Sequence, residues 1–573
     1  MGAGGVRGMW HPRRRYAAGD ETKGGLTQMP NKDGMQIPPD KMIDLIHQQA
    51  MDTLPEHIEE ELIQQAEQLA EAKGIELRNS QVEPTHDEPA PRNRIMLQAF
   101  EWYLPDDGKH WERLRHAAPR LKELGVGGVW IPPCCKATGT DDVGYGAYDL
   151  YDLGEFDQKG AVRTKYGTRQ ELEAAIEALH QQDIQVYGDV VMNHKAGADE
   201  TEVFQAVKVN PDNRDEQISE PYNIRGWTRF TFPGRKGKYS KFQWGFQHFT
   251  AVDYDELKRE NGIFRILGEN KGFSPNVDQE KGNYDYLMFA DVDYRNKDVI
   301  QEILQWGEWF VKTLNLDGIR LDALKHINPS FIQAFLRTVR LASGKTLYCV
   351  GEYWKADEQV LAQYIGDAHD QLALFDVALH FNFFEAALKG KDYDLRNVFQ
   401  GTLLAQNSFN VATFVDNHDS QLGQALESWV GAPFKLLAYA LILLRRDGYP
   451  CLFYGDYYGI EGGPTAQPAL RDALDPLLKA RLEASYGEQI DYFDHANCIG
   501  WVRQGDAAHP GSGLAVLMSN GDDSSKRMSL GMLYAGTTWQ DVTGAIADPV
   551  TLDEKGEAEF HCKGNGVSVY RRV

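Results

Sequence analysis

The chain has 573 residues, enough for one large barrel with additions or roughly two to four domains, and its 42% apolar residues can fill a sizeable core. Its 60 basic and 84 acidic residues leave a net charge of −24. That argues against nucleic acid or an anionic membrane as the main partner, because binding a polyanion needs cations to neutralise phosphate; a neutral polysaccharide meets no such objection.

The first residues, MGAGGVRGMWHPRRRY, contain no apolar segment of secretory-signal length. No stretch of about 18 apolar residues follows that could span a membrane. The expected location is cytoplasmic. Six cysteines lack zinc-ligand spacing and are too few for a disulfide scaffold, so free, mostly buried thiols are predicted.

Residues 1–38, rich in Gly, Arg, Lys and Pro without periodicity, read as a disordered tail. Residues 39–92 read as a helical extension and a linker. Its helix is predicted from about Asp40 to Lys73, with Thr53 and Glu56 at capping-box spacing and a stop at Gly74. Ile58, Leu62, Ala66, Leu69 and Ala70 form an apolar stripe that could dock on the main body, pair with another copy or bind a partner. The linker VEPTHDEPAPRNR carries three prolines.

From Arg94 onward, short β-rich runs alternate with amphipathic helical stretches. The runs are IMLQAF, GVGGVWIP, IQVYGDVV, GIRLDA, LYCVGEY, ALFDV, NVATFVD and PCLFYGD. RQELEAAIEALHQQ and DVIQEILQWGEWFVKTL illustrate the helices between them. This alternation predicts an α/β fold, a (β/α)8 TIM barrel over residues 93–192 and 298–486, with its active site where the strands end. Residues 193–297 are too many for a crossover helix and read as an inserted subdomain after strand three. Residues 487–573, where helices fade and runs such as GLAVLMS appear, read as a C-terminal antiparallel β-sandwich domain.

Four strand ends carry polar clusters. Strand three gives Asp189, Asn193, His194 and Lys195; strand four gives Arg320, Asp322, Lys325 and His326. Strand five gives Glu352, and strand seven gives Asp416, Asn417, His418 and Asp419. Singly, each has an ordinary explanation: an Asp there is commonly a helix N-cap, and a His often bonds a backbone carbonyl. Jointly they would face one cleft, because a barrel gathers its strand ends at one rim, and so many buried charges are costly unless function needs them.

DVVMNH, GIRLDALKH, GEYW and FVDNHD resemble the four signature regions of the α-amylase superfamily, glycoside hydrolase family thirteen. FEWYLPDDGKHW, DVGYGAYDLYDLGEFDQKGAVRTKYGT, GNYDYLMFADVDY and YDYFDH are similar to its bacterial liquefying subgroup. The resemblance runs from about Ile95 to the C-terminus and leaves residues 1–92 outside. It implies an endo-acting, retaining hydrolase of α-1,4-glucosidic bonds in starch, glycogen and maltooligosaccharides. Asp322 would be the nucleophile, Arg320 its counter-charge, Glu352 the general acid and Asp419 the stabiliser of an oxocarbenium-like transition state.

His194 and His418 would hydrogen-bond the same sugar, and Tyr145 would stack on it. Trp102 and Trp354 would line neighbouring subsites, with core packing an equal alternative for Trp102, and Lys325 and His326 would contact the leaving-group side. Asn193, Asp285, Asp291 and the carbonyl of His326 match the family's structural calcium site. The subgroup's second calcium, with sodium between, is expected to be absent: Thr250 and Ser274 stand where two of its aspartates would be, though Asp293 remains.

Other readings are a maltooligosaccharide-forming enzyme or transglycosylase on the same carboxylates, an inactive glycan-binding scaffold, and a metal-dependent sugar isomerase. Intact carboxylates and histidines speak against the scaffold, and the absence of clustered metal ligands at the rim against the isomerase. The expected partner is an α-glucan, with no nucleic acid or membrane, and the N-terminal helices offer a route to an oligomer.

Overall fold

The computed structural model describes residues 37, 39–79 and 93–573. Apart from Ile37, the tail read over residues 1–38 lies outside these residues, as does most of the linker.

Eight parallel strands close into a barrel: β1 (Ile95–Gln98), β2 (Val126–Trp130), β3 (Gln185–Val190), β4 (Gly318–Leu321), β5 (Tyr348–Gly351), β6 (Ala373–Phe375), β7 (Val411–Phe414) and β8 (Tyr449–Phe453). Each strand pairs with the next in sequence, and β8 closes on β1. Every predicted run became one of these strands. Most of their residues are buried, as expected where the inner face fills the barrel and the outer face meets helices. Those helices carry an apolar stripe at 3.6-residue spacing. Helix Arg169–Gln181 starts at a Thr168/Glu171 capping box, and helix Lys297–Thr313 starts at Asn296, whose side chain accepts from the Asp298 and Val299 amides.

Between β3 and β4 the chain forms an antiparallel sheet in the order Tyr222–Arg229, Glu200–Val209, Glu260–Ile266, Ala251–Asp255. A short pair, His194–Lys195 with Ala290–Asp291, ties its two ends together beside the end of β3. After the barrel, an antiparallel six-stranded sheet faces the pair Ser524–Ser529 and Glu557–Cys562 across its own apolar core, which includes Leu517, Trp539 and Phe560.

The N-terminal extension differs from the single predicted helix. It forms α1 (Pro39–Ala50) and α2 (Glu56–Ala72), broken by a turn in which Asp52 adopts φ 54°. Pro55 is the reason: proline disfavours helical backbone at the preceding residue and suits a helix start. The capping box does not form, since Pro55 is the N-cap and the Thr53 hydroxyl donates to the Gln48 carbonyl. Gly74 does end α2, at φ 68°.

Leu62, Ala66 and Ala70 are buried, whereas Leu69 is partly exposed. The extension docks on helices Lys297–Thr313 and Pro329–Ser343. Its last described residue before the linker, Asn79, brackets Cys349 on β5, donating to its carbonyl (2.8 Å) and accepting from its amide (3.1 Å). The fully buried Arg340 donates to the Leu77 carbonyl and to the Asn79 side chain. All six cysteines are free and buried.

Candidate active site

Arg320, at zero exposure on β4, organises the rim. Its Nη1 lies 2.5 Å from Asp322 Oδ1 and 3.1 Å from Asp189 Oδ1, and its Nη2 lies 3.6 Å from Glu352 Oε2. Alternation along a strand puts residues 320 and 322 on the same face, so cation and carboxylate meet inside the barrel mouth. Asp189, at the end of β3, also accepts from Trp130 Nε1 and the Tyr145 hydroxyl, both at 2.9 Å.

Glu352 follows β5. Its Oε2 accepts from the Ala323 amide (2.9 Å), and its carbonyl accepts from the Leu324 amide (2.9 Å). Ala323 reaches it only by adopting left-handed backbone, φ 54°, a strained state for alanine of the kind that concentrates at functional sites. Gly351 permits the approach, since a Cβ there would collide with Leu324. Burial, and then the Asp322 charge, push the Glu352 carboxyl above its ordinary range, against the pull of Arg320.

Beyond β7, Asn417 Oδ1 accepts from the amides of Asp419 (2.9 Å) and Ser420 (2.8 Å), forming the turn that presents His418 and Asp419. Burial, with the Glu352 charge next, raises Asp419 to about 8. Gln98 Nε2 lies 3.0 Å from His418 Nδ1. Since that amide donates, the imidazole proton is assigned to Nε2, which faces Asp419 Oδ2 at 3.4 Å. Burial holds His418 well below its ordinary value, hence neutral. Its ring is nearly parallel to those of Tyr145 (4.9 Å, 6°) and Trp102 (6.1 Å, 7°).

His194 Nε2 lies 2.8 Å from the Tyr145 carbonyl, while its buried Nδ1 has no protein partner. Trp354 is half-buried against His380, Phe381 and Phe414. Lys325 Nζ lies 3.2 Å from both the Trp354 carbonyl and Glu280. The His326 imidazole, 5% exposed, bonds the Tyr284 carbonyl through Nδ1 and meets the Tyr284 ring edge-on.

Asp322, Glu352, Asp419, His418, Arg320 and Tyr145 therefore share one mouth. Asn193, Asp285 and Asp291 gather between insert and barrel: Asn193 donates to Asp291 (3.3 Å), Thr250 bonds the other Asp291 oxygen, and Asp285 Oδ2 has no hydrogen-bond partner. Burial first, and then mutual repulsion, raise Asp291 well above its ordinary range; Asp285 is pushed up to about 7, by burial above all, with the Asp293 charge adding to it. Among the described residues, no three His, Cys, Asp or Glu side chains cluster as a metal site. The predicted set is instead two carboxylates, an amide and a carbonyl.

Asp189 and Asp416, which stand at strand ends in the sequence, and Gln98 on β1 support the site without an expected role in it. Asp189 had a legible signal, an acid in an otherwise apolar buried strand, but Gln98 had none.

The sequence profile of the α-amylase catalytic domain matches residues 116–485, and that of the α-amylase C-terminal domain matches residues 514–571. The chain belongs to the α-amylase family. It is a glycoside hydrolase of that family, similar to a glucan 1,4-alpha-maltohexaosidase of Bacillus sp. (strain 707), with 51% identity over 83% of this chain and 92% of the relative. It is 49% identical to an alpha-amylase of Bacillus licheniformis, over 83% and 93% of the two chains. It is 44% identical to a cytoplasmic alpha-amylase of Escherichia coli (strain K12), over 84% and 99%. In fold, it is similar to an alpha-amylase from Geobacillus thermoleovorans complexed with acarbose, at TM-score 0.56 and 18% identity, covering 84% and 98% of the two chains.

Proposed function

We propose that this α-amylase-family chain hydrolyses internal α-1,4-glucosidic bonds of starch, glycogen and maltooligosaccharides by double displacement with net retention. The observation that carries this reading is the Arg320 guanidinium, bonded to Asp322 and facing Glu352, which puts a carboxylate with a counter-charge beside a carboxyl that burial keeps inclined to hold its proton. Asp322 attacks the anomeric carbon while Glu352 protonates the departing oxygen; Glu352 then deprotonates the water that releases the sugar.

Asp419 bonds sugar hydroxyls and, when ionised, supports the positive charge that develops at the ring carbon. The unpartnered Nδ1 of His194 and the Nε2–H of His418 are left to bond sugar hydroxyls. Tyr145 and Trp102, parallel at 2°, offer stacking faces, and Trp354 and Lys325 extend the cleft. His326 contributes through its position against Tyr284. The test is digestion of soluble starch, with products resolved by length and anomeric form. A ladder of mixed lengths released as the α-anomer supports the reading, and β-anomeric products overturn it.

A single calcium ion would be held by Asn193, Asp285, Asp291 and the His326 carbonyl. The hard-oxygen donors and the unpartnered Asp285 oxygen fit such a cation. It would tie insert to rim and add no chemical step. Asp293, left from the second cluster, is instead engaged by Lys271 (2.7 Å) and Arg295 (3.3 Å). Lys271 Nζ also donates to the Gln247 and Phe249 carbonyls, so an ammonium supplies the positive charge there.

A second reading, release of one preferred maltooligosaccharide, is favoured by the 51% identity to the relative named for maltohexaose release; one dominant product length would establish it. A cytoplasmic location is supported by the name of the Escherichia coli relative. Among the described residues, no helix is long and apolar enough to cross a membrane.

A further inference from the structure

Helix Phe434–Leu444, FKLLAYALILL, is apolar except for Lys435, whose side chain is only 4% exposed. Its Nζ lies 2.8 Å from Asp416 Oδ2 and 2.5 Å from Asp456 Oδ1, over the face of the Trp429 ring. The Tyr439 hydroxyl, from the same helix, donates to the other Asp456 oxygen (2.6 Å). One cation and two carboxylates are thus enclosed where desolvation is costly, and well-packed apolar side chains would commonly be at least as stable.

The cluster leads to the active site. Asp416 follows β7 and begins the turn that carries His418 and Asp419. Its Oδ1 accepts from the Ser420 hydroxyl (2.8 Å), and that hydroxyl accepts from the Asn417 amide (3.0 Å). Both its oxygens also lie near the Val430 amide (3.3 and 3.2 Å), gathering the far end of the same loop. Asp456 belongs to the segment after β8, so Lys435 links the ends of two barrel strands.

We propose that Lys435 is a positioning residue: by clamping Asp416 to Asp456, it fixes the Asp416–Ser420 turn and so the place of Asp419 in the cleft. This rests on the reading of Asp419 as a transition-state stabiliser. A displacement of about 1 Å in such a group can cost up to a hundredfold in rate.

The double variant Lys435→Met/Asp456→Asn removes one charge of each sign and keeps the net buried charge of the wild type. It is expected to recover the thermal stability lost in Lys435→Met while kcat on maltooligosaccharides stays down about tenfold, with KM within about twofold. Lys435→Arg, which keeps the cation, is expected to retain more kcat than Lys435→Met. Ser420→Ala leaves every charge in place and cuts only the link from Asp416 to the turn; it is expected to lower kcat about five- to tenfold with KM held.

Wild-type kcat in the double variant, or in Ser420→Ala if the double variant does not fold, overturns the proposal. Asp419→Asn separates the two readings. If it is inactive while Ser420→Ala and the double variant keep full kcat, only the positioning role fails. If it keeps wild-type kcat, the role given to Asp419 fails as well.

Discussion

Arg320 Nη1 lies 2.5 Å from Asp322 Oδ1, the first residue on β4 and the second directly after its end. The guanidinium is fully enclosed, stacks over Trp130 at 4.9 Å, and also serves Asp189 and Glu352. Replacing it with methionine would leave three carboxyls without a counter-charge. Arg320→Met is expected to lower unfolding free energy by about 3–5 kcal/mol in denaturant titration and to abolish activity. Lysine, lacking the planar fork, is expected to rescue stability in part but turnover poorly.

Glu352→Gln keeps the shape of the side chain and its acceptor oxygen for the Ala323 amide, but cannot deliver a proton. Turnover of starch is expected to fall by about 10²–10⁴-fold, with oligosaccharide affinity by calorimetry near that of the wild type. Near-normal turnover would remove Glu352 from the role of acid.

Asp419 carries a pH signature. Its ordinary value is 3.8 and its folded value about 8, so the native state holds the proton more tightly than the unfolded chain between these limits. Stability contributed by this group therefore falls as pH rises through that window and levels off above it. Asp419→Asn is expected to be inactive yet to gain stability over the wild type as pH goes from about 4 to 8, by at most about 5 kcal/mol. Unfolding curves at several pH values check the trend, and a gain that shrinks with pH would contradict it.

Calcium is expected to raise the melting temperature and a chelator to lower it, corresponding to about 2.7 kcal/mol at a hundredfold excess over Kd. Asp291→Asn should remove most of that difference. Titration calorimetry should find one tight site; several would refute the reading that Lys271 supplies the second positive charge.

The eight strands were legible because a strand buried on both faces must be a short, continuous apolar run, and polar side chains at its end stand out against it. The rim residues were legible for the same reason. The chain breaks between α1 and α2, where a single helix is expected from Asp40 to Lys73, because Pro55 outweighs helical patterning locally. Lys435 is not legible in the sequence because its two partners lie in other segments, Asp416 after β7 and Asp456 after β8, so only the folded barrel brings them within reach. A lone lysine opening an otherwise apolar helix was the one available hint.

The bracketing of Cys349 by Asn79 bears on where the chain can be trimmed. The barrel's first strand begins at Ile95, which invites cutting away everything ahead of it. Doing so would strip the enclosed Arg340 of two acceptors and leave both backbone groups of Cys349 without their side-chain partners, three residues upstream of Glu352. A shortened enzyme would be weakened along the strand that leads to Glu352, so recombinant versions should keep the segment from Ile37 to Asn79.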